Sequence, residues 1–133
     1  MVKDIFFIVL EYLEHEDILK YVSQISSNEN VGLGEDYGRL ILAQLLDGLG
    51  AMQAKNISHR DIKPDNIILE NNGNIKVFDF GISAYLENQD PQLVSNRSLK
   101  GHRQFTPNEC LFSHFPLIYD YKIDIFALGF TMF

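Results

Sequence analysis

The segment His59–Asn66, which reads HRDIKPDN, combines two carboxylates, two cations and an amide side chain within eight positions. Asp61 can accept a proton from a hydroxyl group, and Lys63 can neutralise charge on a transferring phosphoryl group. The amide oxygen of Asn66 can bind Mg²⁺, which prefers oxygen ligands. This set of side chains suits phosphoryl transfer, provided that a second metal ligand lies nearby.

A second oxygen ligand follows at Asp79, the first residue of the triplet DFG. Two apolar stretches precede it, IIL at 67–69 and IKVF at 75–78, and the polar loop ENNGN separates them. Apolar runs divided by a short glycine-containing loop predict a β-hairpin. Because a hairpin folds the chain back on itself, we expect Asp79 to lie beside Asn66.

The remaining elements follow from hydrophobic periodicity. The continuous apolar run IFFIVL at 5–10 predicts a strand that is buried on both faces. Helical spacing predicts one helix within 15–25 and a longer one that begins near Glu35. The last stretch, 120–133, is apolar on nearly every side, which is typical of a core helix. Residues 85–114 show no sustained period, and we expect an irregular functional segment there.

Composition limits the class of protein. A chain of 133 residues with 46% apolar and 22% charged residues is typical of one globular domain. The net charge of −7 argues against binding to nucleic acid, and no apolar run is long enough to span a membrane. The single cysteine, Cys110, cannot form an internal disulfide, which favours the cytoplasm or the nucleus.

HRDIKPDN and DFG, in this order and spacing, resemble the catalytic loop and the metal-binding motif of eukaryotic protein kinases. The resemblance implies an α+β fold, a protein-kinase-like C-terminal lobe that is mainly helical, with a small β-hairpin carrying the catalytic and metal-binding loops. Residues 1–17 would form the last strand of the N-terminal lobe and the hinge. Residues 18–133 would form the C-terminal lobe up to its core helix.

The same resemblance assigns roles in catalysis. Asp61 would be the catalytic base, Lys63 would contact the γ-phosphate of ATP, and Asn66 and Asp79 would hold Mg²⁺. ATP and Mg²⁺ are therefore the implied cofactors. A lysine two positions after the catalytic aspartate is the usual pattern of serine/threonine kinases.

The segment VLEYLEHED, at 9–17, resembles the strand and hinge that bind adenine in protein kinases. The resemblance therefore implies a nucleotide-binding site. Leu10 would be the gatekeeper, and the backbone groups of Glu11 and Leu13 would contact adenine. Asp17 would lie near the ribose. Ile68, in the first hairpin strand, would form the apolar floor under the base.

Further residues have implied structural or regulatory roles. His59 would pack beside Phe80 in a buried apolar spine, and Gly81 completes the metal-binding triplet. Asp124, in DIFALG, would brace the catalytic loop, and Glu109 corresponds to the glutamate of the family's Ala-Pro-Glu motif.

Arg60 could pair with a phosphate carried by Ser98, which would order the long irregular segment. An ordinary loop serine at this position is the alternative.

Two positions depart from the family pattern. His102 stands where most kinases have a threonine that hydrogen-bonds the catalytic aspartate and lysine, and Asn108 replaces the proline of Ala-Pro-Glu. In addition, nothing in these residues resembles the Gly-rich loop, the strand lysine or the helix glutamate of the N-terminal lobe. We expect that lobe to precede Met1 and further helices to follow Phe133. We expect the chain alone to have little or no activity.

The sequence therefore predicts a fragment of a serine/threonine kinase that transfers the ATP γ-phosphate to a protein hydroxyl. Its expected partners are ATP, a protein substrate and the N-terminal lobe in cis, or a partner kinase. One alternative is a non-catalytic, kinase-like interaction or decoy protein, supported by His102, Asn108 and the missing lobe. A small-molecule phosphotransferase is a third alternative, against which the combination of HRDIKPDN with DFG argues.

Overall fold

A computed structural model describes residues 5–26, 33–86, 101–112 and 121–132. The helices are α1 (Ile18–Ser26), α2 (Glu35–Gln53), α3 (Asn108–Phe112) and α4 (Lys122–Thr131). The strands are β1 (Ile57–Ser58), β2 (Ile67–Leu69), β3 (Ile75–Val77) and β4 (Ala84–Tyr85), and 3₁₀ turns span Pro64–Asn66 and Arg103–Phe105. The predicted mixture of helices with small antiparallel sheets is confirmed.

The longest helix, α2, supports the rest of the fold. Glu35 and Asp36 lie in its first turn, where carboxylates interact favourably with the helix dipole. Ile41, Leu45 and Leu49 recur at spacings of four and are buried on one face. The tertiary contacts of this apolar face stabilise the helix, whose three glycines, Gly38, Gly48 and Gly50, lower its intrinsic helix propensity.

The hairpin of β2 and β3 forms as predicted, with Ile67 paired to Val77 and Leu69 paired to Ile75. Its loop turns at Gly73, which has a φ of 84° that favours glycine. The side chain of Gln44, on α2, donates to the carbonyl of Gly73 and accepts from the N–H of Ile75, both at 2.9 Å. These two bonds fix the hairpin on the helix.

A second small sheet pairs β1 with β4, in the register Ile57 to Tyr85 and Ser58 to Ala84. Because β1 precedes HRDIKPDN and β4 follows DFG, the pairing brings the two motifs together. The prediction of an irregular segment at 85–114 is wrong in part, since Tyr85 lies in β4 and α3 occupies 108–112. Strand β4 was not predicted, because it has only two residues, too few to show an alternating pattern.

The core lies between α1, α2, β2 and α4. Its buried residues are apolar and come from these four elements and, in the case of Ile62, from the loop before β2: Ile18, Ile41, Leu45, Leu49, Ile62, Ile67, Ala127 and Leu128. Within the described ranges, no helix combines the length and the apolar character that a membrane span requires.

The buried strand predicted at residues 5–10 is absent from the described structure, and the apolar helix α4 is buried on one side only. Residues 5–10 form no strand, and all six side chains are exposed. A strand needs a neighbour to pair with, and no strand among the described residues lies beside this run. Helix α4 buries Ala127 and Leu128 but leaves Phe126 and Phe130 exposed, with their rings 5.2 Å apart. Apolar composition alone does not reveal which helix face has a neighbour.

The core packing predicts the effect of truncating Ile67, whose side chain is fully buried in β2. We expect Ile67→Ala to lower the free energy of unfolding by about 2–5 kcal/mol, because the substitution removes buried methyl groups and leaves a cavity. Ile125→Ala, at an exposed position of α4, is the matched control and should change the value by about 0.5 kcal/mol or less. Urea titrations of both variants measure the difference, and equal effects would contradict the assigned core.

Candidate active site

The loop between β1 and β2 holds the charged octet. Its second half is the 3₁₀ turn Pro64–Asn66, with proline at the first position, where its fixed φ suits the turn. The N–H of Asn66 donates to the carbonyl of Lys63 at 3.0 Å and closes the turn. The turn points the side chain of Asn66 back toward Asp61.

Asp61 lies at the centre of a cluster of donors. Its Oδ2 accepts a hydrogen bond from Lys63 Nζ and another from Asn66 Nδ2, each at 2.8 Å. The same amide group of Asn66 donates to the main-chain carbonyl of Asp61 at 2.8 Å. The cluster is largely shielded from solvent, since the Asp61 side chain is 11% exposed and that of Lys63 is 20% exposed.

These contacts fix the charge of Asp61. Burial alone would raise the pKa of this carboxyl, but the hydrogen bonds from Lys63 and Asn66 and the charge of Lys63 outweigh it. The main-chain N–H of His102 acts in the same direction. The pKa of Asp61 is consequently lower than usual, so the group is an ionised carboxylate at neutral pH.

Asp124, on α4, holds the start of the loop. Its Oδ2 accepts hydrogen bonds from Ser58 Oγ at 2.9 Å and from the N–H of His59 at 2.8 Å, and its Oδ1 accepts from the N–H of Arg60 at 2.7 Å. The residue is 3% exposed. A buried carboxylate with three donors fixes the backbone from which the octet starts.

His59 is fully buried and joins the loop to the segment after β3. Its Nε2 lies 3.0 Å from the carbonyl oxygen of Phe78, and its Nδ1 lies 3.3 Å from the N–H of Asp61. The neutral tautomer with the proton on Nε2 satisfies both contacts. Its ring also meets the edge of the Phe80 ring, at a centroid distance of 4.7 Å, although Phe80 is 47% exposed.

Burial lowers the pKa of His59. The hydrogen bond to Phe78 and the nearby carboxylates of Asp124, Asp61 and Asp79 oppose the shift without cancelling it. A lowered pKa agrees with the geometry of the ring, because the charged imidazole would carry a second proton, on Nδ1, and this proton would face the N–H of Asp61.

Asp79 lies next to this cluster in a left-handed conformation, with a φ of 63°. The residue before it, Phe78, donates its N–H to the carbonyl of Asn66 at 3.1 Å, which brings the end of the hairpin to the loop 59–66. Asp79 is exposed, and its Oδ1 accepts from the N–H of Gly81 at 3.2 Å. A Cβ at Gly81 would lie 3.0 Å from that oxygen.

The donor set fits Mg²⁺. Asn66 and Asp79 offer hard oxygen atoms, while the amide nitrogen of Asn66 is already bonded to Asp61. Among the described residues, no three His, Cys, Asp or Glu side chains come together as a metal site. Two protein ligands suit Mg²⁺, which keeps several waters and binds substrate phosphates.

The predicted adenine-binding residues are brought together only in part. Asp17 forms an isolated β-bridge with Ile68, which is 6% exposed. Glu11 is tied to β3 by an ion pair with Lys76, which also lies 3.5 Å from Glu70. Leu10, in contrast, is 79% exposed and is not among the residues packed in the described core.

Asp17 also begins helix α1, since its Oδ1 accepts from the N–H of Lys20 at 2.9 Å. Leu13 is half-buried in the same segment. The predicted hinge segment therefore contacts the hairpin at two points, Glu11 through Lys76 and Asp17 through Ile68.

Only some of the residues with predicted regulatory roles lie in the described part of the chain. Arg60 has a φ of 67° and donates from Nε to the carbonyl of Ile82 at 2.6 Å. Ser98 lies outside the described residues. Glu109 lies in α3.

Sequence reasoning missed two residues that support the site. Ser58 donates to Asp124 from the position just before the octet, and Lys76 holds Glu11. The sequence does mark Lys76, because it is the one cation in the otherwise apolar run IKVF. Ser58 gave none, because a small polar residue before a motif has many explanations.

Comparison with known proteins decides the family. The family model described as "Protein kinase domain" matches residues 2–133, nearly the whole chain. The chain belongs to the protein kinase family. Its helices and small antiparallel sheets agree with a kinase-like fold.

Individual relatives support this assignment. The chain is similar to the Aurora kinase of Yarrowia lipolytica, with 34% identity over 98% of the chain. It is also similar to the ovarian-specific serine/threonine-protein kinase Lok of Drosophila melanogaster, with 32% identity over 98% of the chain. The serine/threonine-protein kinase CHK1 of Saccharomyces cerevisiae is 28% identical over the same share. The chain spans 32%, 26% and 24% of the length of these relatives, respectively.

The three bonds to Asp124 predict that the kinase chain is sensitive to its replacement. We expect Asp124→Asn to lower the free energy of unfolding by about 2–4 kcal/mol, because an amide nitrogen would face buried donors that need an acceptor. Asp47→Asn, at an exposed position of α2, should have little effect. Urea denaturation of both variants tests this expectation, and equal midpoints would show that Asp124 is not the brace.

The buried, neutral His59 predicts a pH dependence of stability. In the unfolded kinase chain its imidazole binds a proton near the ordinary pKa of 6.5, whereas in the folded chain the pKa is lower. The unfolded state therefore takes up more protons as the pH falls below about 6.5, and the free energy of unfolding decreases. Stability should be highest above this pH and should be lost as the pH falls toward the folded pKa.

Urea titrations between about pH 7.5 and 5.5 measure this loss. His59→Gln should reduce the slope, while His102→Ala, at an exposed position, should keep it. A slope that survives in His59→Gln would assign the effect to another group.

Proposed function

We propose that this chain is part of a serine/threonine protein kinase that transfers the γ-phosphate of ATP to a protein hydroxyl. The observation that carries the proposal is the cluster in which Lys63 and Asn66 hold the Asp61 carboxylate, with Asp79 adjacent. A shielded, ionised carboxylate beside a lysine and two metal-binding oxygens suits proton acceptance next to a phosphoryl group. The printed names of the relatives and the lysine two positions after Asp61 support the serine/threonine class.

Asp61 would accept the proton of the attacking hydroxyl, because it stays ionised at neutral pH and faces the cluster. Lys63 would leave or share its bond with Asp61 to contact the γ-phosphate, whose charge it partly neutralises. Asn66 keeps its amide nitrogen on Asp61 and would bind the metal with its oxygen. Mg²⁺ held by Asn66 and Asp79 would offset the negative charge of the phosphates.

The hinge and the β2–β3 hairpin would together form the nucleotide-binding site. Ile68 offers a buried apolar surface for the base, and Asp17, bridged to it, lies where a ribose hydroxyl could bind. Glu11 and Leu13 would contribute backbone groups to adenine, with Leu10 as the gatekeeper. The ion pair of Glu11 with Lys76 supports this geometry, because it holds the hinge to β3.

The likeness in motif order supports the finer assignment of residues 1–17 to the last N-lobe strand and hinge and of residues 18–133 to the C-terminal lobe. In this assignment the exposed run 5–10 would pair with strands of the N-terminal lobe in cis, or of a partner kinase. The 133-residue chain alone would have little activity, because half of the ATP clamp would be missing. Location in the cytoplasm or nucleus stays a prediction.

The test is phosphotransfer from radiolabelled ATP and Mg²⁺ to serine- and threonine-containing peptides. We expect Asp61→Asn to lower the rate at least about 100-fold, because a general base is lost. Asp65→Asn is the matched control, since Asp65 is an exposed carboxylate in the same loop. Wild type, both variants and the isolated 133-residue chain are compared, using the longest natural protein that contains this chain.

Two results would contradict the proposal. Transfer by the isolated chain that depends on Asp61 would show that the fragment is sufficient. No transfer by the longest natural protein would favour the alternative of a non-catalytic interaction protein, which binding to a partner kinase would then test.

A further inference from the structure

The side chain of Gln44 joins helix α2 to the turn of the β2–β3 hairpin. Its Nε2 donates to the carbonyl of Gly73, and its Oε1 accepts from the N–H of Ile75, both at 2.9 Å. The two backbone groups lie 29 and 31 positions further along the chain. A glutamine amide donates and accepts at the same time, whereas a carboxylate only accepts and an ammonium only donates. The amide therefore holds the turn through a donor and an acceptor together.

The turn itself is closed by bonds within the hairpin. The N–H of Gly73 donates to the carbonyl of Glu70, and the N–H of Glu70 donates to the carbonyl of Asn74, both at 2.9 Å. The N–H of Asn74 donates to Asn72 Oδ1 at 2.9 Å. These bonds shape the turn but do not fix its place on the rest of the fold. In the described part of the chain, the hydrogen bonds between the turn and α2 are those of Gln44.

The opposite end of the hairpin carries the two proposed metal ligands. Asn66 directly precedes β2, and Asp79 lies two positions after the end of β3. The N–H of Phe78 donates to the carbonyl of Asn66 at 3.1 Å and joins the two strands at this end. Each strand has only three residues, so few cross-strand bonds separate the turn from the ligands. A displacement of the turn on α2 would therefore change the spacing of Asn66 and Asp79.

We propose that Gln44 is a positioning residue of the site, which fixes the β2–β3 turn on α2 and thereby holds Asp79 beside Asn66. Its effect on catalysis rests on the proposed function, in which these two residues hold Mg²⁺. Gln44 itself would touch neither the metal nor the substrate, because it binds the turn at the other end of the hairpin. Its role extends the site to helix α2, which lies outside HRDIKPDN and DFG.

A pair of matched variants isolates the amide of Gln44. Gln44→Met removes both hydrogen bonds and keeps an unbranched side chain that suits a helix. The buried core face of α2, at Ile41, Leu45 and Leu49, is unchanged. Gln53→Met is the control, because it makes the same substitution at an exposed position of the same helix.

Amide hydrogen exchange, resolved by residue with NMR, follows the turn and the site without catalysis. In the longest natural protein that contains this chain, Gln44→Met should speed exchange at Ile75 about 2- to 10-fold, because that N–H loses its acceptor. Exchange at Phe78, which reports the hairpin end at Asn66, should also be at least about twofold faster. The N–H of His59, bonded to Asp124, should keep its rate, since a local opening of the hairpin does not reach it.

Phosphotransfer in the same protein measures the consequence for the proposed function. Gln44→Met should raise the Mg²⁺ concentration at half-maximal rate about 3- to 10-fold, because displaced ligands bind the ion less tightly. The KM for a peptide substrate at saturating Mg²⁺ should stay within about twofold of the wild type, since Gln44 does not contact the peptide. Gln53→Met should match the wild type in both measurements.

The outcomes separate the positioning role from the function. If the wild type transfers no phosphate but Gln44→Met speeds exchange at Ile75 and Phe78 selectively, the function fails and the positioning stands. Unchanged exchange at Phe78 would overturn the positioning role, because the site would not follow the turn. Equal acceleration that includes His59 would overturn it as well, since it indicates a general loss of stability. An unchanged Mg²⁺ requirement in an active protein, or equal effects in Gln53→Met, would count against it in the same way.

Discussion

The site depends on one buried carboxylate, Asp124, and the three donors that it accepts. Two of these donors are consecutive main-chain N–H groups, of His59 and Arg60, and the third is the hydroxyl of Ser58. No lysine or arginine within the described ranges forms an ion pair with it. An isolated charge inside a protein is costly, so the bonds to the loop are what make its burial tolerable. The carboxylate and the loop backbone therefore stabilise each other, and the octet has a fixed start.

The fixed backbone at the beginning of the loop 59–66 matters because two residues of the site have left-handed backbone conformations. Arg60 has a φ of 67° and Asp79 has a φ of 63°, a region in which side chains other than glycine are uncommon. Such conformations persist only where the surroundings determine them. At Arg60 the surroundings are its N–H bond to Asp124 and its Nε bond to Ile82. At Asp79 they are the bond from Phe78 to Asn66 before it and the bond from Gly81 after it.

The sequence predicted the parts of the fold that local pattern determines, and it failed where a distant neighbour decides. The hairpin and helices α1 and α2 follow from spacing and turn chemistry, and all three formed. The run 5–10 has the composition of a buried strand, yet pairing depends on another segment, and none is present among the described residues. Asp124 was expected in its place only through family resemblance, since no local pattern links it to a loop more than sixty positions earlier.

The register of the β2–β3 hairpin connects the two halves of the proposed site. Ile67 pairs with Val77 and Ile68 pairs with Lys76, so alternate side chains face the core and the segment that contains Glu11. Ile67 is fully buried, while Lys76 reaches Glu11. A slip of one residue would turn the lysine toward the core and would move Asp79 by one position relative to Asn66. The apolar residues that fix the register thus also set the distance between Ile68, the proposed adenine floor, and Asp79, the proposed metal ligand.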